Sequence, residues 1–452
     1  MTALPPGSRA PALVQGLRYV RDPIDFLSSF QRRYGDIFTV RFPFYGRIVY
    51  VAGPELVKEV FTGSPAVFHA GEANAVVLEP ALGPHSILTL DDEAHLRQRK
   101  LLLPPFHGER VRRYGELIEE VTRREMQTWP VGEPFALRTH TQRITLAVIL
   151  RAVFGIRDEA RVDRATELID RFSARVTTII RFPVLRRDLG PRSPWRRFLR
   201  ARSELDEFIF EEITLRRAEE GNEEREDVLS LLLRARHEDG SPMSDTELRD
   251  ELVTVVGAGH ETTATALAWA IERLLRNPRA LGRLRASVSA GRSDYLEATV
   301  KETLRVRPVI IDVARKLTAP AIIGGYELPA GSFVMPAIAS LHRREDFFPQ
   351  PEEFRPERFL DNRTENYAWI PFGGGVRRCV GAAFAEFEMR IVLREFVTRA
   401  ALRPPDPTPE KVRIRNITLA PHHGTRVVLE RQLTRPDTDF APDFAAAERA
   451  RT

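Results

Sequence analysis

The sequence predicts a mainly α-helical fold with small β-sheets, and three observations carry that prediction. From Asp91 to Ala286 apolar residues recur at helical spacing, interrupted only at Pro104–Pro105, Pro130, Pro183, Pro191–Pro194 and Gly221. Strand-like runs are confined to Ile37–Phe42 and Gly46–Ala52 near one end, and to Val309–Val334 and Val412–Leu429 near the other. No repeat, low-complexity tract or linker divides the chain, so residues 1–435 are expected to form one domain and the polar stretch 436–452 a disordered tail.

Taken in order, Asp22 to Tyr34 reads as a helix stopped by Gly35, a residue free to take the left-handed turn that ends helices. Two strands separated by a Pro/Gly turn follow, then a helix from Pro54 to Phe61. Ser64 to Leu90 is punctuated by Pro and Gly, yet Val76, Val77, Leu78 and Leu82 make it too apolar for a purely solvated loop. A helix is expected from Asp91 to Leu103. Ser244-Asp245-Thr246-Glu247 is a capping box, and apolar periodicity then runs to Arg276, where Asn277–Pro278 stops it. At 1.5 Å per residue that helix is roughly 50 Å long, enough to cross the domain. The last long helix spans Ala382 to Arg399.

The composition is that of an ordinary globular protein: 452 residues, 43% hydrophobic and 29% charged. Of 68 basic residues only five are lysines, a bias typical of GC-rich bacterial genomes. The 63 acidic residues are interspersed with them, so no nucleic-acid partner is expected. No run of 18 apolar residues exists, and Met1–Ser8 lacks the basic start and apolar core of a signal peptide. The expectation is a cytoplasmic protein that does not enter the membrane.

One cysteine, Cys379, excludes a disulfide framework and any multi-cysteine zinc or iron–sulfur site. It stands in Phe372-Gly373-Gly374-Gly375-Val376-Arg377-Arg378-Cys379-Val380-Gly381, after a glycine run and ahead of a helix. Glycines let backbone pass close to something flat or bulky. A sulfur at a helix N-terminus beside arginines is held as thiolate. A bystander thiol and a nucleophile are the other readings, the latter without a nearby histidine as base.

The middle of the long helix reads Gly257-Ala258-Gly259-His260-Glu261-Thr262-Thr263, a poor helix interior that suggests a local opening of the backbone ladder. Ala264 excludes the His-Glu-x-x-His of zinc proteases, and Thr262 with its helical context excludes a dinucleotide loop. His260 reads as a packing or solvent residue rather than a ligand. Elsewhere Glu302 and Arg305 lie one helical turn apart, His95 and Arg99 share a helix face, and the prolines of Pro351 to Phe359 suggest an ordered, meandering loop.

The cysteine segment resembles the haem-ligand loop of the cytochrome P450 family, Phe-x-x-Gly-x-Arg-x-Cys-x-Gly, at every fixed position, and Ala258 to Thr262 is similar to that family's oxygen-binding groove. The resemblance runs from Leu4-Pro5-Pro6-Gly7 to the strands near residue 425. It implies the cytochrome P450 fold, with a long distal helix and the cysteine loop enclosing haem b. Cys379 would then be the axial thiolate on iron, and Arg377, His95, Arg99 and Arg315 would bind the haem propionates. Thr262 would hydrogen-bond the oxygen being activated, and Glu261 would supply protons through water. Glu302, Arg305 and Arg358 would form a buried network holding the ligand loop.

The implied activity is a monooxygenase reaction dependent on O2 and electrons, hydroxylating or epoxidising an apolar small molecule such as a lipid, terpenoid, steroid or aromatic. Mostly apolar segments would wall the substrate: Ala75–Leu90, Phe172–Phe182, Phe208–Phe210, Val255–Ala258 and Val309–Ile311. A peroxide-driven hydroxylase or a haem sensor are the alternatives; the first lacks the acid–alcohol pair and the second does not need it. With 73 residues after Cys379 and no second glycine fingerprint, no flavin domain is expected. Electrons would come from NAD(P)H through a ferredoxin and its reductase, docking a monomer at a basic patch of Arg97, Lys100, Arg110, Arg112, Arg113, Arg377 and Arg378.

Overall fold

The computed structural model describes residues 4–43, 45–106, 108–219, 224–361 and 367–433. Gly221 and the expected tail 436–452 lie outside these residues. The chain opens with α1 (Ala12–Arg21), α2 (Pro23–Tyr34) and the hairpin β1 (Ile37–Phe42) and β2 (Gly46–Val51). Next come α3 (Pro54–Thr62), β3 (Phe68–His69), α4 (Ala70–Leu82), α5 (Asp92–Leu102), α6 (Glu109–Arg113) and α7 (Gly115–Met126). After β4 (Pro134–Ala136) stand α8 (Leu137–Phe154), α9 (Glu159–Arg181), α10 (Pro194–Ala218) and α11 (Val228–Arg234). The longest helix, α12 (Asp245–Leu275), is followed by α13 (Pro278–Ser289) and α14 (Asp294–Val306). The C-terminal part holds β5 (Arg315–Leu317), β6 (Ala321–Ile323), β7 (Tyr326–Leu328), β8 (Phe333–Pro336), α15 (Ile338–Leu341) and α16 (Ala382–Arg399). It ends with β9 (Ala400–Arg403), β10 (Val412–Arg415), β11 (Thr418–Pro421) and β12 (Arg426–Gln432).

Local chemistry accounts for the boundaries. Asp22 accepts from the Asp25 amide at 3.0 Å to start α2, and Gly35 at φ 90° ends it. Ser244 and Glu247 cap α12 reciprocally: the Ser244 amide donates to Glu247 Oε2 at 2.8 Å and the Glu247 amide to Ser244 Oγ at 3.2 Å. Ser64 to Leu90 is resolved into β3 and a helix, α4, which accounts for its apolar content.

Helix α12 runs through the main hydrophobic core, where Leu248, Leu252, Leu267, Trp269 and Leu274 are fully buried, and packs against α8, α10, α14 and α16. The largest sheet has strand order β1-β2-β8-β5-β3, with β2 and β8 parallel and the other neighbours antiparallel. Smaller sheets are β4-β12-β9, β10-β11 and β6-β7. Helix α1 and strands β4 and β9 are additions to the sequence expectations. The two strands hold three and four residues and exist through pairing with the distant β12. Helix α1 turns its aliphatic residues outward and only Tyr19 packs inward, against Phe26 and Phe42, so it lacks a continuous core-facing stripe.

Candidate active site

The ligand loop is a closed turn. The Cys379 amide donates to the Phe372 carbonyl at 2.9 Å, and Gly373 and Gly375 take φ of 68° and 62°. A Cβ on Gly374 would press into the Phe61 ring, and one on Gly375 would overlap the Phe61 carbonyl. Two of the three glycines are therefore required by the close approach of α3, which gives the expected flat or bulky neighbour a name, Phe61. Gly381, two residues past the cysteine, has open space where its side chain would be.

The Cys379 side chain is exposed yet deeply set, and burial pushes its thiol pKa up against the Gly381 amide, Arg378 and Arg99, which pull it down. The helix terminus and the arginines act in the expected direction, but burial outweighs them. A bound cation is what would keep this sulfur deprotonated.

Around the loop stands a cationic cluster. His95 on α5 is buried, and its pKa is lowered to about 3 by burial and then by Arg377, Arg99 and Arg315. The imidazole is therefore neutral among three guanidinium groups. Arg377 pairs with Asp91, and its Nη1 donates to the Ile87 carbonyl at 3.1 Å. Arg315 is buried, its pKa lowered to about 10 by burial and then by Arg377, with its guanidinium 5.5 Å from the Phe61 ring centroid. Among the described residues neither Arg99 nor Arg315 has a carboxylate partner. Val376 and Leu96 are exposed beside them, and with Phe61, His95, Arg315 and Arg377 they line one pocket, which Asp91 borders. An accessible sulfur, two cations lacking anions and exposed apolar side chains fit a flat apolar group that carries carboxylates, as haem does.

The middle turns of helix α12 are the exception to its burial. Gly257 and Ala258 are exposed within a helix that is otherwise mostly buried, and a Cβ on Gly257 would meet nothing. Gly259 has a different role: its Cβ position is 3.0 Å from Ile149 of α8, so it permits close helix packing. The expected opening of the backbone ladder is not found; the helix is continuous from Asp245 to Leu275. Its carbonyls instead receive extra hydroxyl donors. Thr262 Oγ1 donates to Ala258 O at 2.7 Å, Thr145 Oγ1 to His260 O at 2.9 Å, and Thr141 Oγ1 to Ala264 O at 2.9 Å. His260 is buried with Nδ1 2.7 Å from the Val256 carbonyl, a packing residue as expected. Glu261 is buried beside Arg138 of α8, which donates Nη2 to Oε1 at 2.7 Å, and Arg415 Nε of β10 lies 3.4 Å from the same oxygen.

The charged network below the loop matches the sequence expectation. Arg305 donates from Nε and Nη2 to the two Glu302 oxygens at 2.7 and 2.8 Å, and both side chains are wholly buried. Arg358 Nε lies 3.4 Å from Glu302 Oε1, which also accepts the Arg355 amide at 2.8 Å. Arg305 reaches the His342 carbonyl at 2.9 Å, and His342 Nε2 accepts the Ile370 amide at 2.9 Å, two residues before Phe372.

The structure gathers His95, Arg99, Arg315, Arg377 and Cys379 into one electrostatic neighbourhood. It distributes the proposed substrate walls less uniformly. Helix α4 packs on α9 and α12 as required. Phe208, however, packs into the core against Phe154, Phe182 and Phe210 face outward, and Ile311 joins a separate cluster with Ile24, Ala339 and Leu419. Phe61, Asp91, Arg138, His342 and Arg415 were missed. Their roles depend on partners from distant segments, for which spacing carries no signal.

A helix-rich fold with a long continuous helix exposed at Gly257–Ala258, and a glycine–cysteine loop flanked by arginines without carboxylate partners, has the makeup of the haem-thiolate class. A model of the family described as Cytochrome P450 matches residues 4–426. The Mycobacterium tuberculosis protein named "Putative cytochrome P450 135B1" is 40% identical over 430 residues, covering 94% of this chain and 91% of its own. "Putative cytochrome P450 138" of the same organism is also 40% identical over 430 residues, covering 95% and 97%. Among solved structures, a retinoic acid-bound cyanobacterial CYP120A1 aligns with a TM-score of 0.82 and 23% identity, over 96% of this chain and all of that one. The haem domain of cytochrome P450DA aligns at 0.83 and 23%, over 96% and 99%. The chain belongs to the cytochrome P450 family and has its fold.

Proposed function

We propose that this protein is a haem-thiolate monooxygenase that hydroxylates or epoxidises an apolar small molecule, a lipid, terpenoid, steroid or aromatic, within a single domain of residues 1–435. The observation that carries the reading is the exposed Gly257–Ala258 step of α12, with Thr262 one turn further on and an acid beside it. Haem b bound through Cys379 supplies the redox chemistry of oxygen activation. His95, Arg99 and Arg315 hold its carboxylates, and Arg377 orients the loop edge through Asp91 and the Ile87 carbonyl.

Thr262 holds a proton at Oγ1. Its donation to Ala258 O leaves the oxygen lone pairs free to accept from water or to turn toward the cavity. Glu261 is the acid that resupplies it; it is paired with Arg138 and Arg415, and proton delivery requires it to leave that pairing. Electrons come from NAD(P)H through a ferredoxin and its reductase, in the cytoplasm, to a monomer. Among the described residues no helix is long and apolar enough to cross a membrane.

The test is spectroscopic. Reduced, haem-loaded protein under carbon monoxide is expected to show the strongly red-shifted Soret band of thiolate ligation, and a globin-like band would overturn the ligand assignment. Thr262→Ala is expected to retain haem while diverting most of the consumed electrons to hydrogen peroxide, measured as peroxide formed per NAD(P)H oxidised. Coupling equal to wild type would remove the proton role.

A further inference from the structure

Helix α1 is held to the protein by Gln15 and Tyr19, while its aliphatic residues face outward. Gln15, its polar residue, is 1% exposed and faces the protein, donating to the Ala10 carbonyl at 2.7 Å and accepting the Arg41 amide at 3.1 Å. Leu13 and Leu17 are each 64% exposed and Val20 is 52% exposed. Positions 13, 17 and 20 fall on one stripe of a helix, so three large apolar side chains project together into solvent. The helix lies against the β1–β2 turn, since a Cβ on Gly16 would stand 3.1 Å from Pro43, and that turn exposes Tyr45.

The charges on α1 and the residues leading into it have one sign. Arg9, Arg18 and Arg21 are exposed, and residues 4–21 contain no carboxylate and no lysine. The next acid, Asp22, is turned to the cap of α2. Arg41 and Arg47 face each other across the hairpin, both exposed. A short helix with an outward apolar stripe bordered by arginines has the makeup of an element that lies in the headgroup layer of an anionic bilayer. A neutral or cationic protein face would leave these arginines without partners.

We propose that α1 and the β1–β2 turn form a peripheral docking surface for anionic lipid bilayers. Leu13, Leu17, Val20 and Tyr45 enter the interface, and the arginines pair with lipid phosphates. Such a surface lies on the membrane without crossing it, which agrees with the lack of a spanning helix among the described residues. It sets aside the expectation of a protein with no membrane contact. It also stands apart from the proposed reaction, because its test reads no chemistry.

Full-length, haem-loaded protein is sedimented with sucrose-loaded vesicles of phosphatidylcholine alone or of phosphatidylcholine with about a quarter phosphatidylglycerol. Wild type is expected to partition at least about tenfold more strongly onto the anionic vesicles, and to weaken as salt rises. Leu13→Ser with Leu17→Ser is expected to lower that partitioning by about tenfold or more, while the carbon monoxide spectrum and melting temperature stay as in wild type. Arg18→Gln with Arg21→Gln should remove the preference for anionic lipid. No binding by wild type, or equal binding by the leucine variant, overturns the proposal. So does a concentration-dependent dimer that the leucine variant abolishes without any vesicle binding, which would assign the face to a second copy of the chain.

Discussion

His342 joins the buried ion pair to the ligand loop, its carbonyl bound by Arg305 and its Nε2 accepting the Ile370 amide. Burial, reinforced by Arg305, lowers its pKa to about 3. In the unfolded chain the imidazole protonates near its ordinary 6.5, so between those values the unfolded state binds the extra proton. The contribution of neutral His342 to stability is therefore complete above pH 6.5 and lost as pH falls toward 3. Relative to His342→Asn, which keeps an acceptor for the Ile370 amide, wild type is expected to lose stability on acidification with a slope approaching about 1.4 kcal/mol per pH unit. Denaturant melts from pH 7 to 4 check this, and parallel curves would remove the role. At this scale the sequence was legible where spacing is local: Glu302 and Arg305 one turn apart, and the fixed positions around Cys379. It was silent on His342, whose partners lie 28 and 37 positions away.

Elements divide along the same line. Helix α12 with its capping box, α2 with its terminal glycine and α16 from Ala382 to Arg399 were legible because their start, period and stop are all local. Strands β4 and β9 were not, because β12 creates them. The glycines show how one residue type carries opposite meanings. Gly375→Ala, at positive φ and against the Phe61 carbonyl, is expected to lower stability by more than about 1 kcal/mol and to reduce haem retained on gel filtration. Gly257→Ala, helical and facing open space, is expected to raise stability by up to about 1 kcal/mol while tightening the cavity. Urea melts of both variants decide it. Equal effects would mean that the open space at Gly257 and the contact at Gly375 do not differ as described.

For the whole molecule, the face that would meet an electron donor is less positive than its arginines suggest. Arg113 pairs with Glu226, Arg377 with Asp91, Arg97 lies 3.5 Å from Glu93 and Lys100 3.6 Å from Glu238. Arg378 is exposed and Arg110 half-buried with Nη1 donating to the Pro104 carbonyl, and among the described residues neither has a carboxylate partner. Arg97→Glu with Arg110→Glu is expected to slow reduction by an acidic ferredoxin several-fold at low ionic strength, and much less near 1 M salt, where the Debye length is about 3 Å. A salt-independent rate in stopped flow would remove the electrostatic steering.

The unpaired arginines beside Cys379 bear on how the protein persists in a cell. Before its anionic cofactor arrives, the chain holds Arg99 and Arg315 close to Arg377, with Asp91 paired to Arg377 and Asp92 nearby as the counter-charges. Mutual repulsion among these cations is expected to lower the local stability of α5 and the cysteine loop, and a bound dianion to offset that repulsion and stabilise the fold by mass action. Limited proteolysis of freshly made protein should therefore cut within 85–103 and 367–381 quickly when haem is withheld and slowly once it is added. Equal rates would show that the cluster is indifferent to loading. Chains made in excess of haem supply are therefore expected to be degraded faster than loaded ones.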